Sequence, residues 1–101
     1  MDMSNHDLAA ERFAALGNPA RLAVLRLLVK AGNSGMMVGE IQRQLAMPAS
    51  TVAHHLRTLV QAGIVLQQRQ GREVWCRAAY PVLTGLGDYL LEECCSHGGC
   101  N

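Results

Sequence analysis

The chain lacks any long apolar run. None of its stretches approaches the roughly 20 apolar residues needed to span a bilayer, so no membrane-crossing role is expected of these 101 residues. Its start, "MDMSNHDLAA", holds acids and no apolar stretch of signal-peptide length. The expectation is a cytoplasmic protein, in a compartment where thiols stay reduced. Charge of one sign is also missing: nine Lys and Arg face eight Asp and Glu, for a net +1. That balance gives no global signature for nucleic acid or for a membrane surface. There is no internal repeat, no long linker, no Cys-x-x-Cys pair and no glycine-rich anion loop ahead of any cysteine. A small thiol enzyme would need such a setting for its nucleophile, so the chain is expected not to be an enzyme.

What is present is a single-domain length with half its residues hydrophobic. A monomer this small buries little surface, and a dimer would help it. Charge is unevenly spread. Residues 40–77 carry Arg43, Arg57, Arg69, Arg72 and Arg77 against Glu40 and Glu73, whereas residues 78–101 carry only Asp88, Glu92 and Glu93. A +3 segment thus precedes a −3 end.

Periodicity predicts a helix over 6–16, then a break at "GNP", where Pro19 suits the first turn of the next helix. "ARLAVLRLLVKAG" repeats Leu22, Leu25 and Val29 at helical spacing, and Val24 and Leu28 widen that face. "GNSG" ends it. "VGEIQRQLAM" predicts a short third helix through Ile41 and Leu45. After Pro48, "ASTVAHHLRTLVQAG" predicts a fourth, with Val52, Leu56 and Leu59 inward and Gly63 as its C-terminal cap. "IVLQQR" and "REVWCRA" read as two strands joined by a turn at "QG". Pro81 opens a last helix, "PVLTGLGDYLLEECC", with Leu83, Leu86 and Leu90 on one stripe. The fold class expected is mainly α with a small β-hairpin, in the order α-α-α-α-β-β-α: a winged helix-turn-helix.

That class points to double-stranded DNA. A helix fits the major groove, and side chains near its N-terminus reach base edges. The outward residues Ser50, Thr51, His54, His55 and Arg57 suit groove and phosphate contacts. Arg69 and Arg72 flank the hairpin turn, where a wing reaches a neighbouring phosphate or the minor groove. Glu40 reads as solvated or paired. Met36, Met37 and Met47 read as packing residues, and Cys76 as a buried strand residue.

The segments "ALGNPARLAVLRLL", "STVAHHLRTLVQAGIV" and "QGREVWCRA" resemble the ArsR/SmtB family of small repressors, over about residues 8–91. The resemblance implies a homodimer formed by the first and last helices, an inverted-repeat operator, and operator affinity that falls when a ligand binds. It divides the single domain 1–101 into a helix-turn-helix at about 38–62, a wing at about 64–78, and a C-terminal dimerisation helix with a cysteine tail at about 81–101. Pro48 departs from the family, many of whose members have a capping serine there. Three sensor sites of the family are absent: "MVGEIQRQL" has no cysteine, Asp88 is followed by Tyr89 and Leu90 instead of a zinc-site histidine, and the second helix has no cysteine.

The tail "CCSHGGC" resembles arsenic-responsive members with a cysteine pair at the end of the last helix. The chemistry is coherent without that likeness. Trivalent arsenic is soft and forms three pyramidal bonds, so three thiolates saturate it. Cys94 and Cys95 supply two if the helix frays, and Gly98 and Gly99 let the chain return Cys100 as the third. The expected inducer is As(III), with antimonite asking for the same ligands and methylarsenite needing only Cys94 and Cys95. Other readings stand beside it: an inert tail, a zinc or cadmium set of Cys94, Cys95, Cys100 and His97, or a redox switch joining Cys100 to Cys94 or Cys95.

Overall fold

A computed structural model describes residues 4–98. Five helices and three strands follow one another: α1 (Asn5–Leu16), α2 (Pro19–Ala31), a 3-10 turn (Gly32–Ser34), β1 (Met36–Met37), α3 (Val38–Leu45), α4 (Ala49–Gln61), β2 (Val65–Gln70), β3 (Glu73–Ala78) and α5 (Tyr80–Leu91). The expected order of helices and hairpin is present. The sheet gains a third strand that no alternation announced, because two residues are too few to show a period.

Local chemistry explains most boundaries. Ser4 Oγ accepts from Asp7 N at the start of α1, and Asn18 Oδ1 accepts from Ala20 N (2.9 Å) and Arg21 N (3.1 Å) at the start of α2. Pro19 occupies the first turn, where its missing N–H costs nothing. α3 ends at Ala46 in the left-handed region, at φ 52°. α4 starts from Pro48 with no side-chain cap; the Pro48 carbonyl itself accepts from Thr51 N and Val52 N, both at 3.1 Å.

Strands run β1-β3-β2, all antiparallel, with Met36 opposite Cys76, and Gln67 opposite Cys76 from the other side. Gly35 permits the β1 crossing. It sits at φ +75°, and a Cβ there would lie 2.4 Å from the Cys76 carbonyl oxygen. The hairpin turn is Gly71–Arg72, one residue later than "QG" suggests, since Gln70 still pairs with Glu73. Gly71 takes φ +64° at the first turn position, as a two-residue hairpin of this kind requires.

One core lies under the sheet and between α2, α3 and α4. Val24, Leu28, Ile41, Val52, Leu59, Ile64 and Cys76 are fully buried in it. On α2 the inward face is Val24, Leu25 and Leu28; Leu22 and Val29, which periodicity set on the same stripe, are over 40% exposed. α5 ends at Leu91, four residues before the expected end, so Cys94 and Cys95 lie beyond the helix. Its stripe is only partly used: Leu86 is buried and Leu83 half-buried, while Leu90 is exposed.

Candidate functional site

α3, the connection 46–48 and α4 form a tight helix-turn-helix. Ala46 N donates to Arg43 O, and Met47 N to Gln42 O. Ile41 of α3 and Val52, Leu56 and Leu59 of α4 are buried together, which fixes which side of α4 faces out. Ser50, His54 and Arg57 follow at i, i+4 and i+7 and are all exposed, making one polar stripe from the helix N-terminus. Within α3, Glu40 pairs with Arg43 and accepts from Gln44 (3.1 Å). Gln44 first, then Arg43, hold its carboxyl below the usual carboxylate range.

Thr51 and His55 belong to a second stripe, turned toward α2. Both are half-buried. His55 Nδ1 is buried without a hydrogen-bond partner. Loss of hydration lowers the His55 pKa, and the nearby charges of Arg21 and His54 lower it further. Both effects favour the neutral imidazole, and its ring is less open than an outward reading of the helix suggests. The cause is tertiary: the N-terminus of α2 packs beside it.

In the wing, Arg69 and Arg72 are exposed at the tip. Val74, the register partner of Arg69, lines a cleft with Arg57, Ala53, Val60 and Gln67. Arg57 therefore lines the cleft between recognition helix and wing, and Arg69 lies on the strand position directly opposite Val74. A polar stripe, a cationic cleft edge and an arginine at a hairpin tip form the arrangement that a duplex backbone and groove require.

The cysteines divide cleanly. Cys76 is free and wholly buried, and burial pushes its thiol pKa up against the lowering influence of a hydrogen bond from Gln67 Nε2 (3.5 Å). Such a thiol is unreactive. Cys94 is free and exposed, and its Sγ lies 3.3 Å from Cys95 Sγ. Cys95 is disulfide-bonded in this structure. Successive turns carry the chain past α5: Cys94 N donates to Leu91 O, Ser96 N to Glu93 O and Gly98 N to Cys95 O. Glu93 and Cys95 both take positive φ, 64° and 66°. Cys100 and Gly99 lie outside the described residues. Among the described residues no three His, Cys, Asp or Glu side chains converge as a metal cluster, and no helix is long and apolar enough to cross a membrane.

Four contacts escaped sequence reasoning. Arg12 Nε donates to Ala62 O (2.9 Å), Arg21 Nε to Ala15 O (2.6 Å), Tyr80 Oη to Val29 O (3.0 Å), and His6 Nδ1 lies 2.7 Å from Tyr89 Oη. No periodicity signals a cation reaching a carbonyl 50 residues away.

Comparison with known proteins agrees with this geometry. A helix-turn-helix domain family matches residues 16–68. An uncharacterized helix-turn-helix-type transcriptional regulator of Methanocaldococcus jannaschii is 44% identical over 69 residues, covering 68% of this chain and 75% of that protein. The transcriptional repressor SmtB of Mycobacterium tuberculosis is 37% identical over 73 residues, covering 72% of this chain but only 52% of that protein. Among solved structures, an ArsR-like transcriptional regulator from Rhodococcus sp. RHA1 superposes with a TM-score of 0.77 at 26% identity, covering 90% of this chain and 82% of that one. A homodimeric winged helix-turn-helix DNA-binding domain from Mycobacterium bovis gives 0.69 at 25% identity, over 100% of this chain and 98% of that one. These likenesses concern transcriptional regulators and not enzymes, and with the helix-turn-helix and wing described above they place this chain in the ArsR/SmtB family of winged helix-turn-helix, DNA-binding transcriptional regulators.

Proposed function

We propose that the chain is a homodimeric repressor that leaves its operator when trivalent arsenic binds Cys94, Cys95 and Cys100. The observation that carries the reading is the sulfur pair: Cys94 and Cys95 Sγ lie 3.3 Å apart, exposed, beyond the end of α5. That spacing lets one soft atom bridge both sulfurs. Three thiolates require the reduced chain, so Cys95 enters the site as a thiol. Antimonite takes the same set, and a monomethylated trivalent arsenical takes Cys94 and Cys95 alone. On the DNA side, the exposed stripe of Ser50, His54 and Arg57 on α4 faces the groove with the half-buried Thr51 and His55 at its margin, while Arg69 and Arg72 of the wing hold phosphates.

Two observations, both on α5, support the last-helix half of a dimer formed by the first and last helices. Leu90 and Leu91 are 66% and 71% exposed on α5. A Cβ added at Gly87 would meet open space, leaving room for a second helix to approach. Ligand binding draws the tail back onto α5 and disfavours the dimer geometry that fits the operator. Release then equals the difference in ligand affinity between the two geometries. A difference of about 3 kcal/mol lowers operator affinity more than a hundredfold.

The test is titration of fluorescent upstream DNA with reduced protein, adding arsenite, antimonite, zinc, cadmium or oxidant separately. Arsenite should release the DNA, and serine at Cys94, Cys95 or Cys100 should abolish release while leaving DNA binding intact. Loss of the response in Cys76→Ser instead, or no salt-sensitive, sequence-dependent binding at all, sinks the proposal. A thiol-redox response of the same tail is favoured by one observation, the disulfide bonding of Cys95; release by oxidant and not by arsenite decides for it. Release by zinc or cadmium alone decides for a Cys₃His set with His97.

A further inference from the structure

We propose that Arg12 is a positioning residue, one that locks the DNA-binding end of the molecule to the dimer-forming end and carries the inducer's effect between them. Arg12 lies in α1, half-buried, and its Nε donates to the carbonyl of Ala62 at 2.9 Å. Ala62 is the residue that closes α4. The last carbonyls of a helix have no partner within it and carry the negative end of its dipole. A guanidinium there makes a charge-assisted bond that replaces the missing ladder.

The geometry at the next residue shows how close the fit is. Gly63 takes φ +78°, and a Cβ there would stand 3.1 Å from Arg12 Nη2. The guanidinium therefore lies across the point where α4 turns into the wing. Ile64 N donates to Leu59 O on one side of that point, and Ile64 O accepts from Ala79 N, the N-cap residue just before α5, on the other. Recognition helix, wing strand and last helix meet within three residues of the Arg12 bond.

The same side chain faces the dimer-forming helices. Arg12 lines a cavity of about 350 Å³ between α1 and α5, with Leu8, Val82, Gly85, Leu86 and Tyr89. Tyr89, which lines that cavity, holds α5 to α1 a second time through its Oη, 2.7 Å from His6 Nδ1. Any shift of α5 against α1 changes the cavity, and Arg12 transmits it to the end of α4. The inducer part of this inference rests on the tail reading given above; the locking of α4 does not.

The experiment uses the full chain with Arg12→Met, which keeps the alkyl stem but no donor, and Arg12→Lys, which restores a cation. Hydrogen exchange, read without DNA or inducer, should show faster exchange at residues 62–65 in Arg12→Met, with partial recovery in Arg12→Lys. Operator affinity should fall roughly fivefold or more in Arg12→Met, at protein concentrations where sedimentation shows both proteins dimeric. The ratio of operator affinities without and with arsenite should shrink toward one. Unchanged exchange at 62–65, or an unchanged operator affinity and arsenite ratio, overturns the proposal, as does full function in Arg12→Met with a lowered melting temperature only. If wild-type protein ignores arsenite, the tail reading fails, and exchange and operator affinity still decide on Arg12.

Discussion

The body of the molecule, Pro19 to Ala79, and its C-terminal arm, Tyr80 to Gly98, obey different physics. The body holds a closed core, in which Val24, Leu28, Ile41, Val52 and Ile64 have no exposed surface at all, although Leu22, Val29 and Leu66 remain partly exposed at its edge. In the arm only Leu86 is buried among the described residues, while Leu90 and Leu91 stand largely in solvent. The body specifies itself; the arm waits for something to cover it. Under the proposed function, the helix-turn-helix stays rigid and the responsive element lies at the edge, where a small binding energy would change its position without unfolding the core.

Changes in the body should therefore cost most. Leu56→Ala or Ile41→Ala, each emptying a closed site, should lose about 2–5 kcal/mol, read as a fall in urea midpoint. A loss near zero in either would mean the body is as loosely packed as the arm. Gly35→Ala follows, at about 2 kcal/mol or more, because the new Cβ meets the Cys76 carbonyl at 2.4 Å and φ is +75°. Asn18→Ala should remove the cap of α2 for about 1 kcal/mol, visible in the melting temperature.

A smaller effect depends on pH. The folded pKa of His55 lies below the ordinary value of about 6.5, chiefly through lost hydration and then through Arg21 and His54. The folded state therefore binds fewer protons than the unfolded one. Its full contribution is present above about pH 6.5 and is lost as pH falls through that value toward the depressed folded pKa. Melting temperatures at pH 7.5 and 5.5 should differ less in His55→Gln than in the wild type. An equal difference means that the ring is open to water. The least stability is at stake in the arm: Leu90→Ser with Leu91→Ser should change the urea midpoint at fixed low concentration by under about 0.5 kcal/mol, yet shift the sedimentation equilibrium toward monomer. A large stability loss without a change in association would show that these leucines are packed within their own chain.

Helices with strong punctuation were legible in the residues. Asn18–Pro19 and Gly32 bound α2, Pro48 and Gly63 bound α4, and the two strand-like runs on either side of Gly71 form the wing. The outward positions Ser50, His54, Arg57, Arg69 and Arg72 are exposed in the structure, and Cys76 is buried as its strand position suggests. The end of α5 was not legible. "YLLEECC" contains no Gly or Pro before Gly98, so nothing local marks Leu91 as the last helical residue. Strand β1 was missed because its pairing with β3 spans about 40 residues, from Met36 to Cys76. The inward tilt of His55 was missed because it depends on α2 lying beside α4.

Composition, caps and periodicity alone determined a winged helix-turn-helix and the exposed stripe of Ser50, His54 and Arg57 on its recognition helix, because those signals are read within one or two turns of chain. Only the tertiary structure decided which face of α2 is buried, where α5 stops, that Cys94 and Cys95 stand side by side off the helix, and that Arg12 of α1 holds the end of α4. The buried face of α2 and the Arg12 bond rest on atoms distant in sequence brought within a few ångströms, and the place of the cysteine pair on where α5 stops. No local pattern encodes either.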